Sequence, residues 1–215
     1  MCNYRLHIQV PLQEEAELTT PTSKTLIAVL QTTLDGRILD GGSDWVDSWA
    51  DGLELLPPVD AFVLGAGMFS GYEPYWGSVL NDPAAATAML GRDPYRRELA
   101  YAQTASKTEH LVLSTTLSDV AWPSARIVRS IDEIRTFKHD GPGTAYVVGG
   151  PTLITSLLDA GLLDELRLLV HPIVIGAGQS VSEIIGSPQR LELIGATEPR
   201  TSERVTLTYR LPRVG

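Results

Sequence analysis

The chain has 215 residues, 43% hydrophobic and 20% charged, an ordinary globular composition, and its net charge of −9 with a pI near 4.9 excludes a nucleic-acid surface unless a local basic stripe exists. The densest basic group, Arg92, Arg96 and Arg97, reads as a solvated helix face; the single cysteine, Cys2, excludes an internal disulfide, and His7, His110, His139 and His171 lack metal-ligand spacing. No apolar run has membrane-spanning length and residues 1–15 lack a signal-peptide core, so the expected compartment is the cytoplasm.

Residues 1–23 form an N-terminal arm in which Tyr4, Leu6, Ile8 and Val10 alternate with polar residues, consistent with an edge strand or with a loose tail. Residues 24–215 read as one domain. TLIAVLQTTLDGRI (25–38) predicts a buried strand running into an Asp-Gly turn. SDWVDSWADGLELL (43–56) predicts a helix, VDAFVLGAG (59–67) a second strand, and GMFSGYEPYWGSVLNDP (67–83) a Gly/Pro/aromatic connection. DPYRRELAYAQTASK (93–107) predicts a helix opened by Asp93 and Pro94. EHLVLS (109–114) and ARIVR (125–129) predict strands, and SIDEIRTFKH (130–139) a short helix with Ser130 and Glu133 at capping-box spacing.

TAYVV (144–148) predicts a strand leading to Gly149, Gly150 and Pro151, after which Leu153, Ile154, Leu157, Leu158 and Leu162 recur at helical spacing. Pro151 suits a first helical turn, and glycine lets another molecule approach the backbone. A helix start without side chains in the way attracts anions; the same residues also suit a plain strand-to-helix turn. DELRLLVHPIVIG (164–176) predicts a long central strand, and RLELIGATEPRTSERVTLTYRL (190–211) a terminal hairpin. The fold class is α/β: a mostly parallel central sheet flanked by helices, with an antiparallel C-terminal hairpin.

Common catalytic motifs are weak here. LGAGMFSG (64–71) departs from a dinucleotide fingerprint, with Ser70 at the third glycine position, and no Gly-x-Ser-x-Gly elbow occurs. Asp35 is a weak catalytic candidate whose simpler role is to bond within its own turn. His171 reads as a satisfied core histidine and Trp76 as core.

The order of several phrases is specific. TLDGRI (33–38), SDW (43–45), LGAGMFSGYEPYW (64–76), LSTTL (113–117) and GGPTL with LLDAGLLDELRLLVHPIVIGAG (149–178) follow one another as in a known family. From about Thr25 to about Leu211 the chain resembles the C-terminal reductase domain of the riboflavin-biosynthesis deaminase/reductase, in its stand-alone bacterial form, with a dihydrofolate-reductase-like fold.

The resemblance implies an NADPH-dependent reductase, with NADH as an alternative cofactor, acting on a small planar carbonyl or imine substrate of pterin or pyrimidine type. It also implies a homodimer. Gly149, Gly150, Pro151, Thr152 and Leu153, with Gly65, would hold the cofactor; Gln31 and Thr33 would border the nicotinamide and Trp45 would flank it. Ser114 and Thr115 would lie at the adenosine end, and Ser43, Trp45 and Val148 would face substrate. Three departures stand out. Ala66 and Thr115 replace family arginines, which weakens the expected preference for NADPH over NADH. Met68 replaces a threonine, and Val148 replaces a substrate-binding glutamate. No metal is expected. The other open reading is a dinucleotide- or small-molecule-binding module without turnover.

Overall fold

A computed structural model describes residues 22–39, 58–186, 188, 190–197 and 204–212. The strands are β1 (Lys24–Thr33), β2 (Ala61–Gly65), β3 (Glu109–Leu113), β4 (Ala125–Val128), β5 (Gly143–Val148), β6 (Glu165–His171), β7 (Glu192–Thr197) and β8 (Val205–Arg210). The helices are α1 (Ala66–Asn81), α2 (Pro83–Leu90), α3 (Arg96–Ala105), α4 (Ile131–His139), α5 (Pro151–Asp159) and α6 (Val181–Ile185). All eight strands form one sheet in the order β4-β3-β2-β5-β1-β6-β8-β7. The pairings from β4 to β6 are parallel; β6–β8 and β8–β7 are antiparallel, with a register shift between Leu193 and Gly195. This is the predicted fold class.

Two cores flank the sheet. Alternate residues of β1 go to opposite sides: Leu26, Ala28 and Leu30 face α4, α5 and α6, whereas Ile27 and Val29 face α1, α2 and α3. The predicted arm and the predicted helix at 43–56, with Ser43 and Trp45, lie outside the described residues.

The structure corrects four local expectations. The Gly/Pro/aromatic connection is mostly α1, whose Phe69, Tyr72, Trp76 and Val79 are buried at spacings of three and four. Its burial overrides the poor helix propensity of Gly71, Pro74 and Gly77. The helix predicted from Asp93 begins instead at Arg96, with Tyr95 at the N-cap and Glu98 closing a capping box. Glu98 is buried and accepts both Arg92 Nη atoms at 2.9 Å, while Arg92 and Arg97 lie over the Tyr95 ring. That basic group is therefore a folded cluster, with only Arg96 fully solvated. The long predicted strand ends at His171, because Pro172 supplies no ladder donor, and Val174 and Ile175 are exposed.

A polar chain crosses the second core. His110 Nδ1 donates to Thr108 O at 2.8 Å, which leaves Nε2 to accept from the Tyr72 hydroxyl at 3.3 Å. Tyr101 then donates to Tyr72 at 3.0 Å. Phe62 stacks on the imidazole, and burial pushes the His110 pKa down to about 4.

Candidate active site

Neighbouring strands β2 and β5 send their following helices to opposite faces of the sheet: α1 packs in one core and α5 in the other. A crevice opens at such a reversal, at the carboxyl ends of the strands, and α/β sheets bind ligands there. One wall is Gly65 to Met68 and the other is Val148 to Leu153. The walls are close: a Cβ on Gly65 would stand 3.9 Å from Leu153 Cβ, and one on Gly149 would stand 2.8 Å from Met68 Cε.

Gly149 and Gly150 have φ of +54° and +78°, conformations that glycine adopts without penalty. A Cβ on Gly150 would meet nothing within 4 Å, so that face is open. Gly150 is the N-cap of α5 and supplies no side-chain cap; Pro151 has no N–H. The first intrahelical bond runs from Ile154 N to Gly150 O at 3.2 Å, which leaves the Thr152 and Leu153 amides without helical acceptors. Leu153 contributes only that amide, since its side chain is core. A turn of this kind can hold an anion.

Farther along the same edge, beyond β3, Ser114 Oγ accepts from Thr116 N at 3.2 Å and Leu117 N at 2.9 Å. Thr115 is exposed on this loop. Arg129, at the end of β4, donates from Nη1 to Ser114 O at 2.9 Å and Leu117 O at 2.8 Å. Its guanidinium thus lies beside the position where the family arginine is replaced by Thr115. Sequence reasoning missed this residue; the available signal was that ARIVR ends in an arginine at a strand terminus.

At the end of β1, His171 Nε2 donates to Gln31 Oε1 at 2.7 Å, so His171 is the satisfied core histidine expected. The Thr33 hydroxyl donates to Asp35 Oδ1 at 2.5 Å, and Gly176 N donates to Asp35 Oδ2 at 2.8 Å. Together with the weaker Ile175 N contact, these bonds hold the Asp35 pKa below the ordinary carboxylate value, the Thr33 bond most strongly. Asp35 is an ionised acceptor that ties the 173–176 loop to the β1 turn. Its bond from Thr33 stays within the turn, as expected, and its bonds from Ile175 and Gly176 reach the loop after β6; as an acceptor of all three it has no proton to donate. The side chains of Gln31 and Thr33 are likewise engaged and buried. The structure thus brings Gly65, Val148, Gly149, Gly150, Pro151, Thr152 and Leu153 together, with Ser114 and Thr115 two strands away. Among the described residues no His/Cys/Asp/Glu group could hold a metal ion, and no helix is long and apolar enough to cross a membrane.

The model of the family described as the RibD C-terminal domain matches residues 24–202. The chain belongs to this family. The YyaP protein of Bacillus subtilis (strain 168) is 27% identical over 175 residues, spanning 79% of this chain and 85% of YyaP. The riboflavin biosynthesis protein RibD of Mycobacterium tuberculosis (strain H37Rv) is 26% identical over 161 residues, spanning 72% of this chain; the match covers 44% of that protein. Among solved structures, dihydrofolate reductase of Enterococcus faecalis, complexed with NADP(H), matches with a TM-score of 0.53 at 14% identity, over 86% of this chain and 95% of the enzyme. The RibD C-terminal domain of this chain therefore has the dihydrofolate-reductase-like fold.

Proposed function

We propose that the protein is an NAD(P)H-dependent reductase of a small planar carbonyl or imine substrate, of pterin or pyrimidine type. One observation carries the reading: the Gly149–Gly150 turn opens α5 with an unfilled Cβ position and two unmatched amides, at the point where the helices change faces. Those groups fit a diphosphate. Family membership supports the same use of the turn. A reduced nicotinamide held in the crevice would supply hydride to the substrate's carbonyl or imine carbon, whose oxygen or nitrogen takes a proton from water.

The chain's own part is binding and orientation. Gly149 and Gly150 admit the diphosphate, and the Thr152 and Leu153 amides donate to it. The Ser114–Leu117 loop receives the adenosine end, where Arg129 supplies the positive charge that Ala66 and Thr115 lack. Asp35 keeps the β1 turn and the 173–176 loop in register at the substrate end. NADPH is the favoured cofactor, because Arg129 would give a 2′-phosphate bound at the Ser114–Leu117 loop a charged partner.

The test is nicotinamide fluorescence on titrating NADPH, in the native protein and in Gly150→Val. Native binding with loss of at least about tenfold in the variant is expected. Because φ at Gly150 is +78°, circular dichroism must show that the variant stays folded. A folded Gly150→Val with native affinity overturns the reading. Tight NADPH binding without oxidation by any carbonyl or imine probe points instead to a binding module.

A further inference from the structure

We infer that the Gln31 side chain sets specificity at the substrate end: it donates from Nε2 to a ring carbonyl oxygen, so the substrate is an oxo-substituted (lactam) heterocycle rather than its amino-substituted counterpart. The inference rests on the reductase reading and narrows it. Ile27, Val29, Gln31 and Thr33 alternate along β1 and point to the α1 face of the sheet. Ile27 and Val29 belong to the apolar core there, with Val148 and Leu169 on the flanking strands. Above them the same face turns polar. Thr33 lies opposite His171, and one step beyond the Val170–Val205 pair His171 lies opposite Arg204. Gln31, Thr33, His171 and Arg204 are all buried. A buried polar layer costs free energy unless its groups find partners, and this one sits at the carboxyl ends of the strands, where α/β sheets bind ligands.

Within that layer Gln31 keeps an unused group. The pairing of β1 with β5 ends at Val29 and Val148, so Gln31 stands at the height of the Gly149–Gly150 turn, one strand spacing, or about 5 Å, from where β5 leaves the sheet. Leu39 N donates to its backbone oxygen at 2.9 Å and fixes the strand there. The side-chain Oε1 accepts from His171 Nε2 at 2.7 Å, which sets the orientation of the carboxamide, and Nε2 meets no acceptor among the described residues. With its oxygen committed, the carboxamide has only N–H donors to offer a substrate. A carbonyl oxygen matches them, whereas an amino group would set donor against donor. The neighbouring charges agree. Arg204 favours an electron-rich atom at this layer, and the Asp35 carboxylate is committed to the Thr33 hydroxyl and the Gly176 amide. His171 is a positioning residue that acts through Gln31, and Val148, one level below, gives the ring an apolar seat.

Pterin and 2,4-diaminopteridine make a suitable probe pair: one ring system, with an oxo or an amino group on the same carbon. Quenching of their fluorescence is measured near neutral pH in the full chain saturated with NADP+, and nicotinamide fluorescence reports NADPH binding by each variant. The native protein is expected to bind pterin at least about tenfold more tightly than the diamino compound. Gln31→Glu, which puts an acceptor where the donor was, should reverse the order. Gln31→Leu, and His171→Phe with it, should cut the preference to under about threefold while NADPH affinity stays within about twofold of native. A native protein that binds both rings equally or prefers the diamino ring overturns the inference, as does a Gln31→Leu variant that keeps the native preference, or failure of both pteridines to bind while NADPH does. Failure of NADPH to bind the native protein, whichever ring is preferred, overturns the reductase reading instead.

Discussion

The methyl group of Met68 covers Gly149: a Cβ built on that glycine would stand 2.8 Å from Met68 Cε. The contact links α1 to the turn before α5 across the crevice. Gly149→Ala should therefore do two things. The left-handed φ of +54° costs roughly 1 kcal/mol for alanine, and Met68 must swing away into the space proposed for the cofactor. A fall of a few degrees in Tm with weaker NADPH binding is expected. Met68→Ala in the same background should recover affinity but not Tm; recovery of neither would refute the contact's role.

In the proposed site, Arg129 should set cofactor choice. A charge-assisted phosphate contact contributes about 1.5–3 kcal/mol, or about one to two decades of affinity. Arg129→Ala should weaken NADPH by that factor and leave NADH within about twofold. Thr115→Arg in that variant should restore the preference. Equal losses for both cofactors would show that Arg129 acts only by holding the Ser114–Leu117 loop.

Asp35 should behave as a latch. Its carboxyl is held below the ordinary value by the Thr33 hydroxyl and the Gly176 amide, so what it contributes is present above the unfolded value and is lost as the pH falls through the folded one, below about 4. The Gly176 amide resonance should titrate in that acidic range. In Asp35→Asn, Gly176 and Ile175 should exchange faster, while the pH profile of any reductase activity near neutrality stays unchanged. A new ionisation near neutrality in the native profile, absent from the variant, would mark Asp35 as a proton donor after all.

His110 carries a separate pH dependence. It is neutral and buried, with its pKa pushed down to about 4, whereas the unfolded chain takes up the proton near 6.5. Stability is therefore complete above pH 6.5 and falls as the pH drops from 6.5 toward 4, by an amount on the order of 3 kcal/mol. Urea unfolding across that range should show the slope. His110→Gln should be less stable at pH 7 but nearly flat through the same interval.

The last two strands bear on assembly. Leu193, Ile194 and Val205 are exposed on β7 and β8, and β7 is an edge strand. Unprotected edges of this kind invite pairing. The proposed homodimer should sediment as such at micromolar concentration, and Ile194→Lys should shift it toward monomer. A native protein that is monomeric under those conditions excludes the dimer.

Much of the fold was readable because its signals are local. Apolar runs marked β1, β2 and β5; the Ser130–Glu133 spacing marked α4, and Pro151 after two glycines marked the start of α5. α1 was missed because Gly71, Pro74 and Gly77 speak against a helix one residue at a time, while the argument for it, the burial of Phe69, Tyr72, Trp76 and Val79, exists only once the sheet is in place. Asp93 was misread for the same reason: Arg92 folds onto Glu98 and Tyr95 and moves the cap two residues on. The open turn at Gly149 and Gly150 was readable from its glycines and Pro151, but that chemistry alone suits a plain strand-to-helix turn equally well, and the cofactor role came only with the family resemblance. Arg129 was not, because its link to the Ser114–Leu117 loop joins segments separated in sequence and brought together by β3–β4 pairing.

The change of helix face between β2 and β5 has a mechanical consequence. Each wall of the crevice is anchored in its own core, α1 by Phe69, Tyr72 and Trp76 and α5 by Leu153, Ile154 and Leu157, and the two cores share only the sheet. Apart from the Met68–Gly149 contact, the jaws can thus be adjusted separately. Repacking behind α1 would move Met68 while leaving the Gly150 cradle in place, so descendants of such a fold can exchange one half of a binding cleft and inherit the other intact.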